Sequence, residues 1–327
     1  MSAPAFRLSV CVPVYNEEEA LPLLLARLGA VLDALPGGPH EMVFVNDGSR
    51  DRTLELLRAA VDADPRVRAV SLSRNFGHQQ AITAALDHAT GDAVLVMDAD
   101  LQDTPESIPE FVELFRQGHD VVYAQRIARK EAAWKRAAYF GFYRLAARLS
   151  TVPLPLDAGD FGLMSRRVVD LLRSMPERHR YLRGMRAWAG FRQIGVPVER
   201  AERGAGETKY SLRRLMGLAF DGIFAFSVVP LRAAVAVGVM AMLLSTLFAL
   251  YSLVAKLFLG HSPQGFTALI LVITFLSGVQ LLFLGVIGEY LGRVYEEVKH
   301  RPTYVVGEVI RGAAAASAAP VPPGPAA

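Results

Sequence analysis

The sequence holds a single cysteine, Cys11, in 327 residues. That excludes a disulfide framework and any metal centre built from several thiolates. Excess charge is also missing: 35 Lys and Arg face 32 Asp and Glu, a formal net charge of +3. A general nucleic-acid binder concentrates basic charge, so no nucleic-acid partner is expected. Between Ala233 and Gly288 charge of either sign is almost absent, and Lys256 is the one charged side chain there. The start of the chain lacks the pattern of a secretory leader. Its first apolar run, Leu8 to Val14, passes directly into Asn16-Glu17-Glu18-Glu19 with no small-residue cleavage site, so the N-terminal region is expected to stay in the cytoplasm. What the sequence has in quantity is apolar surface. Hydrophobic residues make up 52% and charged residues 20%, which excludes a disordered chain. Its length predicts about two domains.

Short β-branched runs occur at Leu8–Val14, Glu41–Asn46, Val67–Leu72, Ala93–Asp98 and Asp120–Ala124. Helix-like segments separate them: Glu17–Leu35, Asp51–Ala63, Gly77–Ala89 and Pro105–Gln117, the last with Thr104 as its expected cap. Strand–helix alternation of this kind predicts an α/β fold, a mostly parallel, twisted sheet covered on both faces.

Two uncharged segments follow, Ala233–Ala255 and Phe266–Gly288. At 1.5 Å per residue each reaches ~34 Å, enough for a ~30 Å hydrocarbon core with some tilt. A buried hairpin inside a soluble core is the alternative. Basic residues gather before the first segment (Arg203, Lys209, Arg213, Arg214, Arg232) and after the second (Arg293, Lys299, Arg301), while the connection carries only Lys256. The positive-inside bias predicts both termini in the cytoplasm and the loop outside. Leu212, Leu215, Met216, Ala219 and Ile223 share one arc of Ser211–Phe226, which suits a helix in the membrane interface. An ordinary amphipathic helix against the globular core is its competing reading. Trp134–Leu149, mixing aromatic and basic residues, is a second interfacial candidate. Residues 313–327 are rich in Ala and Pro and are expected to be disordered. Arg301-Pro302-Thr303-Tyr304-Val305-Val306 reads as an edge strand able to pair with a neighbouring chain, which would allow a homo-oligomer such as a tetramer.

In an open parallel sheet, ligands bind at the carboxyl ends of the strands. Polar residues gather there: Pro13-Val14-Tyr15-Asn16-Glu17, Asn46-Asp47-Gly48-Ser49, Ser73-Arg74-Asn75 and Asp98-Ala99-Asp100-Leu101-Gln102-Asp103. The apolar run Val94–Met97 delivers Asp98 and Asp100 to that rim. Two hard oxygen donors suit Mg²⁺ or Mn²⁺ shared with substrate phosphates; a turn or cap is the bland alternative. After the second strand Gly48 permits a tight turn, and Ser49 or Asp51 can cap the next helix. That leaves Asp47 as a rim carboxylate free to accept from a nucleobase or ribose.

Taken together, Val12–Glu17, Val45–Ser49 and Asp98–Asp103 resemble the family 2 glycosyltransferases, with their nucleotide-sugar-binding GT-A, Rossmann-like fold. More closely, the chain resembles the polyprenyl-phosphate glycosyltransferases, the group of dolichol-phosphate mannose synthase and bacterial undecaprenyl-phosphate glucosyltransferases. Further matches are Ser73–Gln79, Asp160–Arg166, Arg180–Gly184 and Glu202-Arg203 with Gly206–Ser211, so the resemblance covers roughly residues 6 to 305. It implies a catalytic domain over 1–210, an interfacial helix over 211–231, a transmembrane hairpin over 232–300 and a cytoplasmic C-terminal segment over 301–327, in a bacterial inner-membrane protein. It implies that Pro13, Tyr15, Glu17 and Asp47 hold the donor nucleoside. Asp98, Asp100 and Gln102 would form the Mg²⁺ or Mn²⁺ and diphosphate site, with Asp98 also facing the nucleotide sugar. Arg126 and Arg136 would bind the acceptor phosphate, and Arg203 and Lys209 would close over the diphosphate. Asp157 or Asp160 would be the acidic residue at the reacting centre. The implied reaction is inverting transfer of one sugar, UDP-glucose being the first choice of donor, to a polyprenyl phosphate in the bilayer. The chain departs from the family at Asn46-Asp47, where members often carry two aspartates. A processive polysaccharide synthase would show Gln-x-x-Arg-Trp, whereas this chain reads Arg183-Gly184-Met185-Arg186-Ala187-Trp188. A non-enzymatic membrane scaffold has no use for both Asp98 and Asp100 beside a basic loop.

Overall fold

The computed structural model describes residues 6–126, 158–178, 180–198, 229–259 and 265–311. Within them β1 (Leu8–Val14), β2 (Glu41–Asn46) and β3 (Val67–Leu72) have the bounds read from the sequence. β4 (Ala93–Val96) stops two residues early, and β5 (Val121–Arg126) runs two residues further. The sheet is completed by β6 (Ala158–Ser165), β7 (Gln193–Val198) and β8 (Val306–Ile310), in the order β7-β5-β6-β4-β1-β2-β3-β8. The pairs β1–β2, β1–β4, β2–β3 and β5–β7 are parallel. β6 enters antiparallel between β4 and β5, and β8 lies antiparallel on β3. The sheet is therefore mixed: a parallel centre with two antiparallel additions. β6 fits between its neighbours because Gly162 has no side chain; a Cβ there would sit 2.8 Å from the Val122 carbonyl oxygen.

The strand sequences are apolar on both sides because helices cover both faces. Val10, Val12 and Val14 of β1 pack with α1 (Leu21–Ala34) and α4 (Ile108–Arg116), through Leu24, Leu28 and Phe111. Cys11 points the other way, towards α3 (His78–His88) and α5 (Arg166–Ser174), among Ala81, Ile82, Val168 and Leu172. Burial pushes the Cys11 thiol far up and its Sγ–H donates to the Ala85 carbonyl, so it is an inert packing group. α1 starts later than expected, at Leu21, with a proline in its first turn and the Leu21 N–H already bonded to the Glu17 carbonyl. α2 spans Thr53–Ala63, and α6 spans Leu182–Trp188. Pro105–Ser107 form a separate 3₁₀ turn before α4, and Thr104 precedes it without a capping side-chain bond.

Glu41, at the start of β2, is buried below the sheet. Its Oε1 accepts from Ser9 Oγ (2.5 Å), Thr90 N (2.6 Å) and Thr90 Oγ1 (2.9 Å), and Arg68 lies 3.1 Å from Oε2. Burial alone would raise its carboxyl, but these partners outweigh it and hold it below 4.5. Its stabilising contribution is therefore complete above that value and is lost as pH falls through the folded pKa. Glu41→Gln is expected to cost about 1–3 kcal/mol at neutral pH and to flatten the acid limb of stability, as thermal melts across pH would show.

Of the segment expected to pair with a neighbouring chain, Val305 and Val306 bond to the end of β3 in the same chain, and β8 becomes the outermost strand of the sheet. β8 covers the open edge of β3 from Ala69↔Ile310 to Leu72↔Val306. Arg58 meets Glu308 at 2.7 Å, Tyr304 Oη donates to Asp87 Oδ2 at 2.8 Å, and Ser73 N donates to the Val305 carbonyl at 2.9 Å. These two side-chain contacts and one backbone bond hold the strand on the edge of β3.

A second unit contains α7 (Val229–Leu259) and α8 (Phe266–Val298). Each contains a stretch long and apolar enough to cross a membrane: Leu231–Val254 with mean hydropathy 2.3 and Val272–Val298 with 1.8. Their large apolar side chains are exposed, Leu247 by 63% and Phe275 by 71%. Two exposed apolar helices of this length fit membrane association. Both helices outrun the uncharged segments, and α8 continues into a charged end with a Glu289–Arg293 pair at 2.9 Å. The two interfacial candidates, Trp134–Leu149 and Ser211–Phe226, and the tail 313–327 lie outside the described residues.

Candidate active site

The carboxyl ends of β1 to β4 form one rim, and their loops are laced together. Asn16, at φ +55°, donates its N–H to Ser49 Oγ (2.9 Å) and accepts the Arg50 N–H on Oδ1 (2.9 Å). Glu17 N donates to Thr53 Oγ1 and Glu18 N to Asp51 Oδ2, while Asp51 Oδ1 takes the first N–H of α2 from Thr53 at 3.1 Å. Neither capping candidate is the N-cap of α2, which is Arg52; Asp51, one residue earlier, still takes the first helical N–H, and Ser49 ties the loops. Tyr15 stands 43% exposed at the tip of β1. Pro13 is buried within β1, opposite Val45, so it shapes the strand rather than offering a surface.

Asp47 is not a free rim carboxylate. It is buried, and its two oxygens accept the N–H groups of Phe76 (2.7 Å) and Gly77 (2.9 Å). Burial outweighs those bonds and raises its carboxyl. Asn46, at the departure from a double aspartate, donates its amide to Ser71 Oγ (2.9 Å) and accepts the Ser49 N–H (3.0 Å). Gly48 sits at φ +69°, where a Cβ would fall 2.6 Å from Arg74 C and Asn75 N. The β2 and β3 loops thus touch at a point that only glycine allows.

Beyond β4 the chain turns tightly. Asp98 N donates to Asp103 Oδ2 (3.2 Å), Gln102 N donates to Asp100 Oδ1 (3.1 Å), and Leu101 adopts φ +60°. Gln102 and Asp103 are buried beneath this turn, and the Asp98 side chain is 27% exposed. Among the described residues no group of three or more His, Cys, Asp or Glu encloses an ion position. Asp98 and Asp100 are two hard oxygen donors on this turn, whereas Gln102, the third expected ligand, is buried. The two carboxylates fit Mg²⁺ or Mn²⁺, which completes its shell with phosphate and water oxygens rather than with a protein cage.

Beside Asp98 lies a charged cluster that the sequence reading did not assemble, with His78 exposed at the rim and Asp160 buried. His78, the first residue of α3, places Nε2 3.4 Å from Asp98 Oδ1 and 3.7 Å from Asp160 Oδ2. Asp160, on β6, is buried and accepts a two-pronged bond from Arg183: Nε at 2.8 Å and Nη2 at 3.0 Å. Gln79 Nε2 adds a bond at 3.3 Å, and Gln79 Oε1 accepts the first N–H of α6 from Leu182 at 3.0 Å. Burial would raise the Asp160 carboxyl, but Arg183 and His78 drive it well below the usual carboxylate range. Burial would likewise lower His78, yet Asp160 and Asp98 hold it above its ordinary value. His78, Gln79 and Arg183 all fall inside the quoted motifs Ser73–Gln79 and Arg180–Gly184, which was the one signal pointing to them. Of the remaining expected residues, Arg126 is the last residue of β5. Arg136, Asp157, Arg203 and Lys209 lie outside the described residues.

The Glycosyl transferase family 2 profile matches residues 9–172, which span β1 to α5 and so contain Asp47, Asp98, Asp100 and Asp160. An uncharacterized glycosyltransferase of Bacillus subtilis, YkcC, is 45% identical over 91% of this chain and 92% of its own length. A second, from Synechocystis, is 44% identical over 92% of this chain and 95% of its own. The SfII prophage-derived bactoprenol glucosyl transferase of Shigella flexneri is 40% identical over 94% of this chain and 99% of its own. Among solved structures, the mannosyltransferase PcManGT from Pyrobaculum calidifontis, in complex with GDP-Man and Mn²⁺, aligns with a TM-score of 0.45 at 20% identity, covering 68% of this chain and 64% of that one. With its mixed GT-A-type sheet, its aspartate-bearing rim and near full-length relatives of this kind, the chain belongs to glycosyl transferase family 2 and is a glycosyltransferase.

Proposed function

We propose that this enzyme moves a single sugar from a nucleoside-diphosphate sugar to a polyprenyl phosphate, with inversion at the anomeric carbon. UDP-glucose is the proposed donor and the cytoplasmic face of a bacterial inner membrane the proposed place. The observation that carries the reading is the coexistence, in one chain, of the Asp98/Asp100 rim and two exposed membrane-length helices. Relatedness over nearly the whole length to proteins named bactoprenol glucosyl transferase supports the acceptor. A processive synthase would need more spans for a polymer channel.

The acceptor is a phosphate monoester with a second pKa of ~6, already largely anionic at neutral pH. It needs less help from a base than a sugar hydroxyl would. Asp98, Asp100 and Gln102 would hold the divalent ion, whose charge would offset that of the departing diphosphate. Tyr15 offers an exposed ring for the donor base, with Glu17 beside it. Asp47 acts indirectly, by fixing the Phe76 and Gly77 amides at the head of α3. Asp157 or Asp160 would be the acid at the reacting centre, and the Arg183 fork on Asp160 favours Asp157 for that role. Arg126 and Arg136 would take the acceptor phosphate through paired N–H donors, and Arg203 and Lys209 the diphosphate. The basic flanks of α7 and α8 would keep both termini cytoplasmic.

The test is a screen of UDP-glucose, UDP-galactose, UDP-N-acetyl sugars and GDP-mannose with purified enzyme, undecaprenyl phosphate and Mg²⁺. The expected product, read by mass spectrometry, is the lipid phosphate plus one hexose, formed from UDP-glucose. Transfer from none of these donors would overturn the reading.

A further inference from the structure

We propose that His78 is a positioning residue for the Asp98 carboxylate, held in place by the Asp160–Arg183 ion pair, and that it thereby tunes how tightly the site takes a metal-bound nucleoside diphosphate. The proposal rests on the reading of the Asp98 rim as the donor diphosphate site and adds to it a residue with no role there so far.

The geometry comes from three separate elements. His78 opens α3, Asp98 follows β4, and Asp160 lies on β6. Nε2 of His78 faces both carboxylates, at 3.4 Å and 3.7 Å. The two acids are not equivalent. Asp160 is 6% exposed and fixed by the Arg183 fork, whereas Asp98 is 27% exposed at the rim. His78 therefore bridges a rigid anion and one that must meet the ligand. Oδ1 of Asp98, the oxygen that faces His78, is buried, so the exposed part of that side chain lies on its other atoms. The backbone that leads into His78 is fixed where Asp47 captures the Phe76 and Gly77 N–H groups. Gln79 ties the same turn to Asp160 and to Leu182 at the start of α6. Residues that orient a metal-binding side chain are commonly worth about 10–100-fold in metal affinity.

Isothermal titration of the full-length enzyme in detergent tests this without turnover. UDP is titrated with Mn²⁺ and, separately, in EDTA. His78→Leu is expected to weaken Mn²⁺-dependent UDP binding by about tenfold and to leave binding in EDTA unchanged. His78→Gln, whose amide can return an N–H near the place of Nε2, should restore most of the loss. It also carries the test if the leucine variant fails to fold. Equal weakening in EDTA would mean that His78 touches the nucleotide or supports the loop generally, and would overturn the proposal. So would unchanged binding, or tighter Mn²⁺ binding, which would show His78 competing with the ion. Failure of the wild type to bind UDP with Mn²⁺ would instead overturn the underlying donor-site reading, and the proposal with it.

Discussion

Asp98→Asn lowers sugar transfer by at least about 10²–10³-fold, the usual cost of removing one electrostatic support of a departing anion, while the protein folds and inserts as before. The side chain reaches the rim, so exchanging one carboxylate oxygen for an amide leaves the core untouched. The backbone N–H of Asp98 keeps its bond to Asp103, and the tight turn survives. What changes is charge. An amide cannot share a divalent ion on equal terms with Asp100, and it leaves the diphosphate facing a weaker partner. Initial rates with saturating donor, alongside a thermal melt and membrane fractionation, separate lost chemistry from lost fold. A variant that keeps its rate would remove Asp98 from the site.

Arg183→Met is the prediction with the largest expected effect on stability. Asp160 would remain buried, with His78 and Gln79 but without its two-pronged partner. Stranding a buried charge costs about 3–5 kcal/mol. At roughly 2–4 °C per kcal/mol for a domain of this size, the melting midpoint should drop by about 6–20 °C. The pH dependence has a definite sign. The wild-type Asp160 carboxyl is depressed, so its contribution is complete above its ordinary value of 3.8 and is lost only as pH falls below that. Without Arg183 the carboxyl takes up its proton at higher pH, and neutralisation relieves the penalty. The gap between wild type and variant should therefore narrow as the buffer is made acidic. A gap independent of pH would mean that Arg183 acts through packing alone.

The alternation of apolar strands and helices was legible because each central strand is covered on both faces and so reads as a continuous β-branched run. β1, β2 and β3 fall where the sequence puts them for that reason. Helix starts were less legible, since Glu17–Ala20 look helical in composition while the proline in the first turn and the Asn16 conformation delay α1 to Leu21. β6 and β8 escaped local reading. β6 carries Gly159, Asp160 and Gly162, poor strand formers that serve close approach and the ion pair. β8 returns after α8 to a distant edge, and its pairing with β3 depends on Arg58, Asp87 and Ser73. The twin aspartates after β4 were visible because an apolar strand ends in them. The His78–Asp160–Arg183 cluster was not, because its members come from α3, β6 and α6 and meet only once β6 inserts beside β4. Asp47 was placed on the right loop but given the wrong freedom. Its partners, the Phe76 and Gly77 amides, come from a loop that touches Gly48 only in three dimensions.

The claim that a sugar passes from a nucleotide to a lipid-borne phosphate is tested most directly by incubating membranes containing the enzyme with radiolabelled UDP-glucose and Mg²⁺, then extracting with organic solvent. The account predicts a labelled lipid bearing one sugar, whose yield rises with added undecaprenyl phosphate. Label recovered as a polymer, or none in the lipid phase, would contradict it.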